Sequence, residues 1–295
     1  MNDHAATTGD LALAVLREQT GLLQAHAEGA RSGEQPRGVH QMRVATRRLR
    51  AALRVFEDVL SAEAAGLSDE LRWLAALLGA VRDLDVQLQH TGERAVELGL
   101  VEGLHPYCAW LSVERERARQ TLVCGLDDER YRTLAQHLDR VGEEWRPVAD
   151  TAAGVGAVRR IRPLAKKLWR AADDLGPSSA VEDLHRARIK AKRLRYAVEF
   201  YVPLLGAPAE DVVKRTVDVQ DLLGEHQDTV VAGSRVRDAL AGAHGGWPGE
   251  TAFALGVFVQ RDAERAAQIR EQFPDVYRRL RGKAWKRLKT RLNDG

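Results

Sequence analysis

Apolar residues recur along most of the chain at intervals of three and four, the spacing of an amphipathic helix. This pattern predicts ten helices, near residues 9–30, 36–61, 67–98, 101–123, 127–146, 157–175, 180–205, 208–242, 249–271 and 274–292. No segment sustains the alternation with a period of two that a half-buried strand requires. We therefore expect an all-α protein in which short links join antiparallel helices.

Several residues at the predicted helix ends fit these boundaries. Pro36 suits the first turn of the second helix, where a missing N–H costs nothing. Ser179, followed by Glu182, has the spacing of a capping box. Gly66 and Gly206 are each expected where the chain leaves a helix. A loop is predicted at 242–250, which is rich in glycine.

One basic motif occurs twice in the chain. Residues 39–50 read VHQMRVATRRLR and residues 184–195 read LHRARIKAKRLR, so that His40 and His185 lie 145 positions apart. The same offset relates Leu77-Leu78-Gly79 to Leu222-Leu223-Gly224, and Asp83 to Asp228. We infer a tandem duplication that gives two helical bundles, residues 1–150 and 151–295, linked near 147–156. Pseudo-twofold packing of the bundles would place both motif helices at a shared basic groove.

The first motif helix has one cationic face and one apolar face. At 100° per residue, its basic residues share a stripe about 80° wide. The stripe comprises His40, Arg43, Arg47, Arg50 and Arg54. The opposite face carries Met42, Leu49, Leu53, Phe56 and Leu60, and we expect it to enter the core.

The second motif helix repeats this arrangement over a shorter length. Its stripe comprises His185, Arg188, Lys192 and Arg195, with Leu194, Val198 and Tyr201 facing the core. Arg48 and Arg193 flank the two stripes. Glu199 stands where the first copy has Arg54, so the far end of the second stripe is in doubt.

The repeated stripes indicate an anionic ligand. The formal net charge is only +3, so a cationic site must be local. Like charges three and four residues apart repel, whereas arginine binds phosphate oxygens in pairs. From His40 to Arg54 the stripe runs roughly 21 Å, a length that suits a chain of phosphates. Arg162 and Lys166 have helical spacing and could extend the cationic surface.

Other residues define the setting of this site. Asp83, Asp85 and Asp228 either orient the stripe arginines or form ordinary ion pairs. Cys108 and Cys124 are expected to be buried free thiols in a reducing cytosol. The sequence has neither a secretory leader nor an apolar run of 18 residues, so a cytoplasmic protein outside the membrane is expected.

The two motifs resemble those of the CHAD family, the conserved histidine α-helical domain. The resemblance is carried by His40-x-x-Arg43-Val-x-x-Arg47-Arg48-Leu49-Arg50, by His185-x-x-Arg188-Ile-x-x-Lys192-Arg193-Leu194-Arg195-Tyr196, by Leu78-Gly79-x-x-Arg82-Asp83-Leu84-Asp85 and by Leu223-Gly224-x-x-Gln227-Asp228. It implies two bundles related by pseudo-twofold symmetry and a basic central groove or pore that binds inorganic polyphosphate. In bacteria it also implies association with polyphosphate granules.

The resemblance also bears on particular residues and on catalysis. The binding residues that it implies are His40, Arg43, Arg47, Arg50, His185, Arg188, Lys192 and Arg195. Many CHAD relatives are fused to a triphosphate-tunnel catalytic module marked by a Glu-x-Glu-x-Lys strand. The nearest string here, at 114–118, lacks the lysine and lies in a predicted helix, so we expect the domain without that module.

Two rival functions are considered. A nucleic-acid-binding protein also needs a groove that tracks phosphates, but it would interleave aromatic residues for the bases. A phosphohydrolase or phosphotransferase could use His40 or His185, but it would place a nucleophile or a metal beside the histidine. Arginine surrounds both histidines instead. We therefore expect a polyphosphate-binding protein with no catalytic residue, cofactor or metal.

Overall fold

The computed structural model describes residues 7–33, 36–140, 151–242 and 246–293. Within these ranges it consists of helices and connecting turns, with one isolated bridge between Thr7 and Ala152. The all-α prediction is confirmed. The helices are α1 Thr8–Ala25, α2 Ala27–Ser32, α3 Pro36–Val55, α4 Ala62–Leu98, α5 Val101–Asp127, α6 Glu129–Asp139, α7 Ala153–Ala172, α8 Val181–Phe200, α9 Val202–Leu205, α10 Ala207–Ala241, α11 Gly249–Arg279 and α12 Trp285–Arg291, with a π-helical turn at Leu280–Ala284.

Two of the four predicted end signals are confirmed and two are wrong. Pro36 begins α3, and Gly206 follows α9 with φ +62°. Gly66 instead lies inside α4, where it is exposed while the adjacent Leu67 is buried. Burial of the apolar face outweighs the roughly 1 kcal/mol that glycine costs in a helix. The capping box is absent, since the Ser179 hydroxyl accepts a 2.9 Å bond from the N–H of Gly176, ahead of the helix.

Some predicted helices differ in extent. Residues 9–30 form two helices, α1 and α2, that meet at His26. The helix predicted to run to 61 ends at Val55. The end of the predicted helix 127–146 and residues 147–150 of the predicted link lie outside the described residues, which omit 141–150. The rest of that link is described, and α7 begins within it at Ala153.

The predicted break near Pro274 is wrong. Helix α11 continues through Pro274 to Arg279, and the backbone first leaves helical geometry at Gly282, with ψ −110°. An interior proline costs about 3 kcal/mol of helix stability. Phe273 and Tyr277, on either side of it, are buried, and their packing offsets that cost.

Buried apolar side chains form two clusters. The larger contains Leu49, Leu74, Leu168 and Leu194, all fully buried, and draws on helices from α1 to α12. The smaller surrounds Phe258, where the end of α4 and the start of α5 meet α10 and α11. Each cluster combines residues from both sides of residue 150. The division into bundles at 1–150 and 151–295 stays a prediction.

Helices in the two halves of the chain have corresponding neighbours. Helix α3 packs against α4, which packs against α5, while α8 packs against α10, which packs against α11. A tandem duplication would give this order. The duplication and the pseudo-twofold relation themselves stay predictions.

The two motif helices, α3 and α8, pack against each other. The Phe56 ring lies 5.7 Å from that of Phe200 and 5.9 Å from that of Tyr201. Their predicted apolar faces are confirmed as buried, except that Leu60 follows α3 and is only partly buried. This packing determines which directions the two cationic faces take.

The cysteines differ from the sequence-based expectation. Cys108 is half-buried and Cys124 is exposed, and both are free thiols. The expectation that both are buried is therefore wrong for Cys124. In the described part of the chain, no helix combines the length and the apolar composition needed to cross a bilayer.

Gly38 allows α2 and α3 to approach closely, and its substitution should destabilise the protein. A Cβ at Gly38 would lie 2.4 Å from the carbonyl carbon of Gly29, a backbone atom that cannot rotate away. We expect Gly38→Ala to lower the free energy of unfolding by about 1–3 kcal/mol, the usual cost of overpacking. Urea denaturation followed by circular dichroism measures this change.

Gly79→Ala is the matched control for that substitution. Gly79 lies within α4, and a Cβ there would meet no atom within 4 Å. Alanine should therefore raise the free energy of unfolding, by about 0.5–1 kcal/mol. Equal effects of the two substitutions would contradict the close approach at Gly38.

Candidate functional site

Cationic side chains from α3 and α8 meet in one cleft. The cavity has a volume of about 530 Å³ and is also lined by α4 and α10. Six basic residues of the two motifs line it, namely His40, Arg43, Arg47, Arg188, Lys192 and Arg195. We call this cavity the central cleft.

The helical spacing explains why these side chains share the cleft. Arg43 and Arg47 are four residues apart on α3, as are Arg188 and Lys192 on α8, so each pair lies on one face. The opposite faces are anchored in the core by Met42 and Leu194, both fully buried. Neither helix can rotate its basic residues away without exposing that apolar face.

Lys192 is a partly buried lysine of the cleft, and four arginines act on its charge. Burial, followed by the charges of Arg188, Arg47, Arg43 and Arg195, lowers the pKa of Lys192 to about 7. An ammonium group with an ordinary pKa near 10.5 thus loses its proton near neutral pH. Desolvation and neighbouring like charges both disfavour the charged form of a lysine.

Carboxylates also line the cleft, and of these lining carboxylates only Asp83 forms an ion pair with an arginine of the cleft among the described residues. Asp83 lies 3.4 Å from Arg43, a partly exposed pair. Glu225 pairs with Arg265 at 2.5 Å. Burial raises the pKa of Asp228, although Arg188 opposes this shift. In the described ranges no carboxylate lies within 4.0 Å of Arg47, Arg188 or Lys192.

The aspartates singled out in the sequence have different partners. Asp83 contacts the stripe residue Arg43, as the orienting role predicts. Asp85 instead pairs with Arg115 of α5 at 2.5 Å and belongs to an ordinary ion pair. Asp228 acts on Arg188 through its charge, and it raises the pKa of that guanidinium against the effect of burial.

The two motif histidines occupy different environments. His40 lines the cleft, where burial and the charges of Arg82, Arg47 and Arg43 lower the pKa of its imidazole. It is therefore a neutral hydrogen-bonding group at neutral pH. His185 is exposed outside the cleft lining, and its Nδ1 lies 2.8 Å from Oε1 of Gln227.

Glu199 joins the two motif helices. Its carboxylate lies 3.2 Å from Arg48 of α3 and 3.3 Å from Arg195 of α8. The side chain of Glu199 is only 16% exposed, so this is a largely buried three-membered ion pair. Arg48 is thereby held between the helices, outside the residues that line the cleft. Glu199, which stands where the first motif has Arg54, thus links α3 to α8.

The remaining predicted residues lie elsewhere. Arg50 and Arg54 line a separate pocket where α3 ends and α4 begins. Arg193 lies near Arg54. Its own burial and, to a smaller extent, the charge of Arg54 lower the pKa of Arg193. Arg162 and Lys166 are exposed on α7, where Arg162 hydrogen-bonds to Asn293.

The sequence analysis missed two residues that line the cleft. Arg82 of α4 lies beside Asp83 and close enough to affect the pKa of His40. Its presence in the Leu78-Gly79-x-x-Arg82-Asp83 motif was a usable signal. His90 also lines the cleft, with its Nε2 2.8 Å from the buried Asp262 of α11, a contact that no local pattern indicates.

The described residues contain no group of three or more His, Cys, Asp or Glu side chains arranged to hold a metal ion. In the central cleft, Arg188, Arg47, Arg43 and Arg195 all act on the charge of Lys192. Such an environment favours multivalent oxyanions over cations.

Comparisons with known proteins identify relatives of the chain. It is 33% identical over 267 residues, or 82% of its length, to two uncharacterized proteins of Mycobacterium tuberculosis. The chain spans about half the length of these curated relatives, covering 48% of each.

Two solved structures share the fold. The crystal structure of the CHAD domain from the plant Ricinus communis matches with a TM-score of 0.79 and 28% identity, over 95% of this chain and 94% of that one. PptA from Streptomyces chartreusis matches with a TM-score of 0.70 and 20% identity, over 92% of this chain and all of that one, which supports the fold alone. The family model described as CHAD domain matches residues 14–237. This match covers most of the chain, which therefore belongs to the CHAD domain family.

Proposed function

We propose that the protein binds inorganic polyphosphate in the central cleft without catalysing a reaction on it. The observation that carries this proposal is the position of Lys192 among Arg43, Arg47, Arg188 and Arg195, with its pKa lowered to about 7. A polyanion would relieve this repulsion, because each phosphate adds negative charge and acceptor oxygens.

Unsatisfied donors in the cleft walls support the same ligand. The Nε atoms of Arg47 and Arg188 are buried and have no hydrogen-bond partner among the described residues. A buried donor without a partner costs about 1–3 kcal/mol. An anionic chain that orders these guanidinium groups, or water beside them, would recover part of this cost.

The absence of aromatic side chains from the described cleft lining favours polyphosphate over nucleic acid. Tyr196, the aromatic residue nearest the second stripe, is buried, and the guanidinium carbon of Arg195 lies 4.8 Å from its ring centroid. The cleft therefore lacks a platform on which bases could stack. Binding to long chains would place the protein on polyphosphate granules in the cytoplasm.

Replacing one arginine on each motif helix should abolish most binding. Each charge-assisted hydrogen bond contributes about 1.5 kcal/mol or more, so Arg43→Gln with Arg188→Gln should weaken polyphosphate affinity on the order of 100-fold. The slope of log affinity against log salt should also become shallower by about 1.4, since each lost contact removes about 0.7. Fluorescence anisotropy with labelled long-chain polyphosphate measures both quantities.

Arg117→Gln with Arg132→Gln is the matched control for charge. Both arginines are exposed on α5 and α6, away from the cleft, and each pairs with a neighbouring glutamate. This variant should bind polyphosphate within about twofold of the wild type, because such charges are screened. An equal loss in both double variants would reduce the effect to net charge and refute a site in the cleft.

Affinity for polyphosphate should fall as pH rises from 7 to 9. Free Lys192 loses its proton above about pH 7, whereas bound phosphates would raise its pKa, so binding takes up a proton. The expected loss is on the order of tenfold over the two pH units. The neutral imidazole of His40 does not titrate in this range, because its pKa is lowered.

Lys192→Arg tests the origin of that pH dependence. Its guanidinium stays protonated throughout the range, so its affinity should be nearly constant between pH 7 and pH 9. Binding measured at fixed ionic strength provides the comparison. A wild-type profile as flat as that of the variant would rule out proton uptake by Lys192.

Competition with RNA tests the choice of polyanion. At equal salt and equal phosphate concentration, polyphosphate should displace labelled single-stranded poly(U) from the wild-type protein at least about tenfold more effectively than the reverse. The reason is that the cleft offers charge without stacking surfaces. Tighter binding of the RNA would favour a nucleic-acid-binding protein instead.

A further inference from the structure

A second basic cavity lies where α3 ends and α4 begins. It is lined by Arg50 and Arg54 of α3 and by Ser61, Ser68 and Arg72 at the start of α4. Its volume is about 230 Å³. We call it the α3–α4 pocket. The residues that line it are all different from those that line the central cleft.

The arginines of the α3–α4 pocket gather without matching carboxylates. Among the described residues, no carboxylate lies within 4.0 Å of Arg50 or Arg54. Arg72 has a 2.9 Å pair with Asp69, but both side chains are mostly exposed, so the pair contributes little. Glu57 also lines the cavity and is exposed.

The guanidinium groups that line the pocket lie close enough together for Arg54 and Arg72 to lower the pKa of Arg50. Burial lowers that pKa most, and these two charges lower it further. Arg193, from the second motif helix, adds a fourth guanidinium near Arg54, which lowers the pKa of Arg193 in turn. A small anion among the three arginines that line the pocket would replace these repulsions with charge-assisted hydrogen bonds.

The start of α4 adds neutral donors to the same cavity. Ser61 is the N-cap of α4, yet its side chain makes no capping hydrogen bond. Its hydroxyl oxygen is buried and has no partner among the described residues. The positive end of the dipole of this 37-residue helix lies here as well. Hydroxyl, helix end and guanidinium groups together are typical of phosphate sites.

We propose that the α3–α4 pocket binds one orthophosphate ion, independently of polyphosphate in the central cleft. Its volume lies below the roughly 300 Å³ at which sites for larger organic ligands begin. Three arginines lining so small a space fit one compact dianion better than a chain or a nucleotide. This inference does not depend on the proposed function of the cleft.

The second half of the chain lacks the residues that an equivalent pocket would need. At the repeat offset of 145 residues, Arg54 corresponds to Glu199 and Arg72 to Val217. Glu199 is occupied by Arg48 and Arg195. The expected stoichiometry is therefore one orthophosphate per chain.

Calorimetric titration of the full chain with inorganic phosphate, at low and constant ionic strength, tests the proposal. The wild type should show saturable binding of one phosphate per chain. Arg54→Gln with Arg72→Gln should weaken this binding at least about tenfold. Both side chains are exposed, so the variant should fold normally, which circular dichroism checks. Arg50→Gln is a second, independent variant with the same expected loss.

Two controls separate the pocket from the cleft and from net charge. Arg43→Gln with Arg188→Gln should lose long-chain polyphosphate but bind orthophosphate as the wild type does. Arg117→Gln with Arg132→Gln should bind both ligands normally. The thermal midpoint supplies a second measurement, because a ligand bound only by the folded state raises it. Phosphate should raise the midpoint of the wild type and not that of the Arg54/Arg72 variant.

Three results would overturn the proposal. The first is an absence of saturable phosphate binding by the wild type. The second is unchanged binding in both pocket variants. The third is loss of orthophosphate binding in the Arg43/Arg188 variant, which would place the ion in the central cleft. None of these results contradicts polyphosphate binding in the cleft, so failure of either proposal can be recognised separately.

Discussion

The packing of α3 against α8 is the constraint on which the rest of the structure depends. Two strongly cationic helices repel, yet here they are in contact. Phe56, Phe200 and Tyr201 bury their rings between them, and Glu199 binds an arginine from each helix. Burial of aromatic surface and a shared carboxylate oppose the repulsion. The remaining cationic side chains are thereby held close together facing the cleft.

This packing separates the basic residues of the α3 stripe into two groups that line different cavities. His40, Arg43 and Arg47 face the central cleft, whereas Arg50 and Arg54 line the α3–α4 pocket. Successive turns of one helix pack against different neighbours, so Arg47 and Arg50, only three residues apart, line different cavities. The first group meets α8 and α10, and the second meets the start of α4. The same stripe therefore lines a broad basic cleft at one end and a compact pocket at the other.

The electrostatics of the cleft depend on burial as much as on the number of charges. Five carboxylates also line it, namely Asp83, Glu93, Asp221, Glu225 and Asp228, so a simple count would suggest near neutrality. Glu225 is matched by Arg265, however, and desolvation raises the pKa of Asp228. Burial and then four neighbouring arginines lower the pKa of Lys192 to about 7. The cleft is thus positive where α3 and α8 meet, and this is where a polyanion is expected to bind.

The sequence by itself determined the helical class, the basic motifs and the faces that α3 and α8 bury, because helical periodicity is a local property of the chain. It located several helix ends poorly, as at Gly66 and Pro274, since tertiary burial of neighbouring side chains outweighs local propensity. Only the tertiary structure decided which basic residues share a cavity. Glu199 connects α3 and α8, and Arg82 and His90 line the cleft, whereas Arg162 and Lys166 do not. These outcomes depend on contacts between residues far apart in the sequence. Helical geometry determines the direction of a side chain on its own helix, but the packing of other helices determines what it meets.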